Sequence, residues 1–460
     1  MSAGWHGATD AAPGRASDTG FAPLVAGVGS TSLGRNYVID RDAIAPRDPP
    51  RVPGTRPVAG PRATFSEIFA VGEFRALWTA QALSVAGDQL ARVALTLLVY
   101  GRTHSPLLAA ITFAASVVPT FVGGLVLSGL ADVLPRRQVM IGCDLSRAVL
   151  VAIMALPGVP LVVLVGLLFL VTLISAPFTS ARAALYPEIL SGDHYVLGTA
   201  VTLTTLQFAQ AVGFALGGAL VGFFGVRTSL VVDAATFVMS ALIVRLWVRA
   251  RAAARGEFHQ KTVRSTISVS AAVAGVRLVF ADPGLRTPML LGWLVAFYNV
   301  PEGVAAPLGR TLGGADVSVG LILASGALGA SIGAVMFSRF VRPPQRQRWM
   351  APLAAAACAV LVLFAFHPAL PVALIILTVS GMFDCYQLAA NAAFVTQAPP
   401  NRRSQAFGVA QGGMSLGQGA AMIMAGATAQ HYPPSVVIAA SGALGVIAAA
   451  AIKFGRIHTR

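Results

Sequence analysis

From Phe74 onward the chain alternates long apolar runs with short polar breaks. The runs fall near residues 77–100, 107–130, 139–156, 161–180, 196–224 and 229–247, then 289–308, 317–341, 350–366, 370–396, 407–429 and 436–453. Each is close to the ~17–25 residues that cross a bilayer as an α-helix. Helix is the predicted element because hydrocarbon offers backbone polar groups no partner, and the runs are too long and continuous for the strands of a membrane barrel. The longest polar interval between runs, 249–282, divides them six and six. The pattern predicts an all-α integral membrane protein of about twelve transmembrane helices in two six-helix bundles. The first bundle is placed over 67–248, a linker over 249–285 and the second bundle over 286–460.

The stretch 1–66 has another character. It carries Pro13, Pro23, Pro46, Pro49, Pro50, Pro53, Pro57 and Pro61 among glycines, arginines and aspartates, with no sustained apolar period. Such a segment buries too little surface to offset its ordering entropy, so a disordered tail is expected.

Composition agrees with the pattern. Of 460 residues, 56% are hydrophobic and 11% charged, against roughly 25% charged in soluble domains. A globule of this size would lack the charge to coat its surface, which excludes a soluble enzyme. The 33 basic and 18 acidic residues leave a formal charge of +15, and its placement is a topology signal rather than a nucleic-acid patch. Alternate connections hold Arg136 and Arg137; Arg182; Arg245, Arg249, Arg251, Arg255, Lys261 and Arg264; Arg339, Arg342, Arg346 and Arg348; Arg402 and Arg403; and Lys453, Arg456 and Arg460. The intervening ones hold little beyond Arg102, Arg227 and Arg310. The positive-inside rule therefore places the rich set and both termini in the cytoplasm of a multi-pass protein of the cytoplasmic membrane.

Cys143, Cys358 and Cys385 lie far apart in apolar runs, with no metal or CxxC spacing, and read as small buried hydrophobes. No P-loop, HExxH or nucleophile elbow is present. Metal, cofactor and nucleic-acid partners are not expected, nor is an enzyme. Energy from ATP within the chain is therefore not expected; an ion gradient or passive flux remains.

A charge at mid-bilayer costs ~2.5–3.5 kcal/mol on insertion scales, so each retained one asks for a reason. Asp88 and Arg92 in the first span are spaced i, i+4 and can meet on one helical face. Asp88 has two readings: a cavity-facing carboxylate that titrates, with Arg92 tuning it, or half of a structural ion pair. Glu302 follows Asn299 and Pro301 in the seventh span, where the proline breaks the backbone ladder and opens both to a cavity; the alternative is a hydrated position near the outer interface. Asp384, with Tyr386, Gln387 and Asn391, forms a polar stripe on the tenth span. Asp132, Arg136 and Arg137 after the second span, and Asp144 with Arg147 at i, i+3 in the third, read either as charges that lock and release the bundles or as an ordinary cytoplasmic loop. Gly213, Gly217 and Gly218, with Gly413 and Gly417, allow close helix approach, for plain packing or for sliding.

Weak internal echoes suggest that the halves are repeats. Gly213-Phe-Ala-Leu-Gly217-Gly218 is echoed by Gly413-Met-Ser-Leu-Gly417, and Arg182-Ala-Ala-Leu185 by Asn391-Ala-Ala-Phe394; Gly/Ala-rich composition alone also produces such echoes. Parallel six-helix repeats with a site between them at mid-membrane are common in secondary transporters.

The residues resemble the major facilitator superfamily, and within it the drug/proton antiporter branch that includes macrolide-efflux proteins and the enterobactin exporter. Gly87-Asp88 through Ala94-Leu95 is similar to that branch's first-helix signature. Asp132-Val-Leu-Pro-Arg136-Arg137 resembles the superfamily pattern GxLADRxGRR, followed by Asp144-Leu-Ser-Arg147-Ala148. Ala183-Ala-Leu-Tyr-Pro187, Asp233-Ala-Ala-Thr-Phe237 and Gly275-Val-Arg277 with Asp282-Pro283 and Leu285-Arg286 also match in order. The likeness is dense in the first half. Ser128, Val133 and Pro135 depart from the loop pattern, Phe214 stands where the antiporter motif GPxxGG has proline, and 338–348 has no acid.

The resemblance implies alternating access, export driven by proton influx, and a cytoplasmic gate built from Asp132, Arg136, Arg137, Asp144 and Arg147. The expectation is a monomeric exporter of small amphiphilic compounds, such as antibiotics or siderophore-like metabolites, with Asp88, Glu302 and Asp384 as proton or substrate sites beside Arg92 and Asn391. A facilitator or importer without proton coupling, and a non-transporting scaffold or sensor of the same fold, are the alternatives.

Overall fold

A computed structural model describes residues 64–127, 134–251, 269–399 and 402–457. The expected tail up to residue 63, part of the linker, the terminal Arg460, and Ser128, Asp132 and Val133 lie outside the described residues. Among the described residues there is no β-strand, and seven helices are individually long and apolar enough to cross a membrane, eight with one bent pair.

The helices resolve into twelve spans. Gly72–Thr103 is the first; Pro106–Ala114 with Val118–Val126 is the second; Arg136–Met154 the third; and Leu161–Ile189 the fourth. Gly192–Trp247 holds the fifth and sixth, separated at Gly225, whose φ of 80° suits a residue without Cβ. The seventh runs from Pro283 to Leu312 in four short pieces. Asp316–Phe340, Pro343–Leu361 with the 3-10 turn Val362–Phe366, Leu370–Phe383 with Tyr386–Gln397, Arg403–Thr428 and Pro434–Ile457 complete the set. The second, third and eleventh spans fall short of that length-and-apolarity standard for evident reasons. The second is interrupted at 115–117, the third carries Arg136, Arg137, Asp144 and Arg147, and the eleventh is rich in glycine and glutamine.

Local chemistry sets the boundaries. Ser105 caps the second span by accepting from Leu108 N at 3.3 Å, with Pro106 at the first helical position. Asp282 does the same for the seventh, accepting from Gly284 N at 2.8 Å before Pro283. Among the described residues, two helices lie outside the twelve spans: Phe65–Ala70, which buries Ile68, and Val269–Ala281, within the stretch expected to link the halves.

The halves join at one end. A single hydrophobic core runs through both, from Leu95 and Phe113 through Phe214 and Val221 to Val319 and Ile322. Two further cores each belong to one half. Phe74, Met140, Leu185 and Val244 form one, and Val279, Leu285, Phe394 and Ala406 the other. Both lie toward the end where the third span begins, the fourth and sixth end, and the arginines concentrate. At the opposite, arginine-poor end a Cβ on Gly218 would sit 2.6 Å from Cα of Gly320, so the fifth and eighth spans touch backbone to backbone. Gly426 lies against Pro106 and Leu107, and Gln430 Nε2 donates to Ser105 Oγ at 3.2 Å. This end is sealed.

Overpacking a tight contact costs about 1–3 kcal/mol. Gly218→Leu is expected to break the seal and shift the population toward a state opened at this end. Spin labels at positions 105 and 430 should report a longer, broader separation in the variant; an unchanged distribution would show that the glycine contact does not hold the seal.

Candidate functional site

Among the described residues, charged side chains buried in the spans gather at two places, apart from Arg182 of the fourth span, which lies over the Tyr186 ring. The first is inside the N-terminal half. Arg147, 1% exposed, forms an ion pair with Asp88, donates to Ser84 Oγ at 3.0 Å and to Asp144 Oδ1 at 3.3 Å, and stacks over the Phe237 ring at 4.0 Å. Asp144 also accepts from Ser240 Oγ at 2.6 Å. Asp233, Phe237 and Ser240 are spaced i, i+4, i+7 and so present one face of the sixth span to Arg147. Gly87 brings the first span against that face, where any Cβ would collide with the Asp233 carboxylate and the Thr236 hydroxyl.

This arrangement corrects the expected Asp88–Arg92 pair. Asp88 finds its cation on the third span, while Arg92 donates to the Ser116 carbonyl at 3.1 Å. A buried guanidinium with several oxygen partners satisfies Asp88 better than a neighbour one turn away, because it compensates several desolvated groups at once. It also corrects the place given to Asp144 and Arg147. They are i, i+3 partners as expected, yet both are buried in mid-span against the first and sixth spans, not at a boundary between bundles.

The second gathering is a cavity of about 130 Å³ between the halves. Gln207, Gln210 and Phe214 of the fifth span face Tyr298, Asn299 and Glu302 of the seventh and Asp384 of the tenth, with the eighth span closing the side. Glu302 therefore faces the cavity, not an outer hydrated interface. The seventh span breaks around it: Asn299 and Val304 leave helical geometry, and the chain bends by 48°. Arg92 reaches from the first span close enough to feel Glu302 electrostatically. Asp384 accepts from Tyr298 Oη, and Gln387 Nε2 donates to Tyr298 Oη at 3.1 Å and to the Gly292 carbonyl at 3.0 Å.

The stripe expected on the tenth span reaches two spaces. Asp384 meets the central cavity, while Gln387 and, one turn on, Asn391 line a separate pocket of about 300 Å³ with Trp293, Phe407 and Gln411.

At the arginine-rich end, Arg136 pairs with Glu188 and donates to the Ala184 carbonyl at 2.9 Å; Arg137 donates to the Arg245 carbonyl. Arg251 joins Glu73 at 2.6 Å and Glu188 at 3.6 Å. These contacts stay within the first half and the start of the linker, and Asp132 lies outside the described residues. Outside the spans, the Thr64 backbone N–H and then His194 hold the Glu67 carboxyl below its usual range. The glycines divide by role. Gly213 and Gly217 lie against the first span at Ala86 and Leu90, Gly218 against the eighth, and Gly413 against Trp293 of the seventh, whereas Gly417 has room to spare. The fifth span meets the first as the eleventh meets the seventh, which the repeat echo anticipates.

Sequence reasoning missed Asp233, Gln207, Gln210, Glu73 and Glu188 as site residues. Asp233 was legible by the rule applied to Asp88, a charge in an apolar run. The glutamines carry no such mark.

Removing one partner of a buried ion cluster costs about 3–5 kcal/mol, whereas a lost hydrogen bond to a charged group costs about 1.5–3. Arg147→Ala is therefore expected to lower the thermal unfolding midpoint of the purified protein further than Arg92→Ala. Equal losses would contradict the central place of Arg147.

Comparison with known proteins accords with this geometry. The Major Facilitator Superfamily profile matches residues 77–383 and 303–459. The multidrug efflux pump Tap of Mycobacterium tuberculosis is 28% identical over 344 residues, covering 71% of this chain and 80% of that protein. The uncharacterized MFS-type transporter YfiS of Bacillus subtilis is 26% identical over 241 residues, covering 52% and 57%. Among solved structures, a POT family transporter in complex with 5-aminolevulinic acid aligns with a TM-score of 0.67 at 10% identity, over 83% of this chain and 95% of that one. A bacterial homolog to the human lysosomal transporter Spinster, inward-facing and occupied, aligns at 0.63 and 15%, over 84% and 96%. At such identities the likeness is one of fold. The chain belongs to the Major Facilitator Superfamily and is a multi-pass membrane transporter.

Proposed function

We propose that this transporter exports small amphiphilic compounds from the cytoplasm in exchange for protons. The observation that carries the reading is the central cavity, where Glu302 and Asp384 face each other's surroundings across amide and aromatic side chains. Ionisable groups kept between two helical bundles are costly and suit a path for protons or charged cargo. The relative named a multidrug efflux pump supports the direction and breadth of transport. The positive-inside rule supports a cytoplasmic location for the arginine-rich end and both termini in a cytoplasmic-membrane protein. With the opposite end sealed, the cavity would load from the cytoplasm, and rocking of the halves that parts the Gly218–Gly320 contact would expose it outside.

The lining suits amphiphiles, since Phe214, Leu377 and Ile322 supply apolar walls and the carboxylates and amides would orient a polar end, although the cavity must widen to hold one. In this reading Glu302 and Asp384 are the cavity's proton or cation sites, Arg92 sets the field at Glu302, and Arg136 with Glu188 anchors the cytoplasmic ends of the third and fourth spans. Facilitated transport without protons is a second reading, favoured by Phe214 in place of the antiporter motif's proline.

Everted membrane vesicles carrying the protein, acidified inside and given ethidium as probe, test the choice. Antiport predicts ethidium uptake that collapses with the gradient. Glu302→Gln or Asp384→Asn should lower it by about 5–150-fold, the span of coupling free energies of ~1–3 kcal/mol. Uptake indifferent to the gradient would favour facilitation.

A further inference from the structure

The buried cluster of the first half has more acid than base. Asp88, Asp144 and Asp233 surround the guanidinium of Arg147, and a second one, Arg92, lies on the far side of Asp88 without bonding to it. Asp88 is ion-paired to it, and Asp144 is held by it and by Ser240. Asp233 differs: it is 0% exposed, and among the described residues no cation lies within 4.0 Å of it and its Oδ2 has no hydrogen-bond partner. Its Oδ1 meets the Thr236 hydroxyl only at 3.4 Å, and that hydroxyl already donates to the Asp233 carbonyl at 2.7 Å. The charged groups that face it are Asp88 from the first span and Arg147 from the third, with Asp144 behind Arg147. Arg147 Nε is also buried without a partner, so the guanidinium has a donor to spare.

Three ionised carboxylates against the guanidinia of Arg147 and Arg92 would leave one negative charge uncompensated in hydrocarbon, and Asp233 is the carboxyl with neither guanidinium within 4.0 Å. A carboxylate without a partner at that depth is far costlier than a neutral carboxylic acid. We propose that Asp233 holds an exchangeable proton and that Asp88 and Asp233 alternate as the counter-ion of Arg147. The proposal rests on the antiport reading and deepens it. While Arg147 pairs with Asp88, Asp233 carries its proton. Asp88 is 23% exposed and is the member of the cluster open to solvent. When a proton or a cationic substrate neutralises Asp88, Arg147 loses that partner and turns to Asp233. The Asp233 O–H bond then breaks, its electron pair stays on the carboxylate, and the proton leaves to water past Asp88. One positive charge enters the cluster and one leaves. Gly87 permits the exchange by laying the first-span backbone directly against the Asp233 carboxyl.

Infrared difference spectroscopy on the purified full-length protein at neutral pH, without substrate or gradient, tests this. Relative to wild type, Asp233→Asn is expected to lose the intensity of one protonated carboxyl, and Asp233→Glu to move that band. Asp88→Asn should lose the same band, although it removes a carboxylate that was ionised, because Arg147 then pairs with Asp233. A carboxyl band that survives Asp233→Asn or stays fixed in Asp233→Glu overturns the proton assignment. One that survives Asp88→Asn overturns the exchange of partners. Because no transport is measured, these spectra can fail while gradient-driven efflux stands, and efflux can fail while they hold.

Discussion

Arg147 carries a full charge at a depth where water does not reach, and three spans supply what hydration would have given it. The first contributes Asp88 and Ser84, its own helix Asp144, and the sixth the Phe237 ring with Ser240 behind Asp144. Each partner is satisfied only if the helices keep their relative rotation, since a slip of one residue turns an oxygen away by about 100°. Buried ion clusters add little net stability, but breaking one is severe, so they select a single arrangement over its neighbours. These charges therefore fix the internal arrangement of the first, third and sixth spans.

The second half is built on softer terms. Its polar groups, Tyr298, Asp384, Gln387 and Glu302, sit around breaks in the seventh and tenth spans. Such breaks release backbone groups that a cavity can solvate, which ties the irregular helices to the place where cargo is expected. A rigid half with internal charge compensation beside a half with interrupted helices gives the pair a natural seam. The seam is held at one end by glycine-to-backbone contact, which involves little side-chain interdigitation.

Much of this was legible from residues alone, and the failures are instructive. Span length and apolarity are properties of one helix in lipid, so the twelve crossings follow directly from the sequence. The broken seventh span was visible in Pro301 beside Glu302. The Asp88–Arg92 pairing failed because spacing reports only neighbours on the same helix, whereas Asp88 was claimed by a cation on another span. The interruption of the tenth span at Asp384 carries no proline to announce it; there backbone N–H groups bond three residues back, beside the Tyr298 hydroxyl and the close approach of Gly381 to Gly326. Gln207 and Gln210 were hidden because an amide is cheap enough in a membrane helix to pass without comment.

The claim on which the rest stands is that Glu302 and Asp384 face an aqueous space reached from the arginine-rich end, while Asp233 does not. After Cys143, Cys358 and Cys385 are replaced by alanine, single cysteines at 302, 384 and 233 can be exposed to a membrane-impermeant thiol reagent from either side. Labelling at 302 and 384 from the arginine-rich side, with 233 protected, is the expected outcome. Protection of 302 and 384 from both sides, or labelling only from the opposite side, would contradict it.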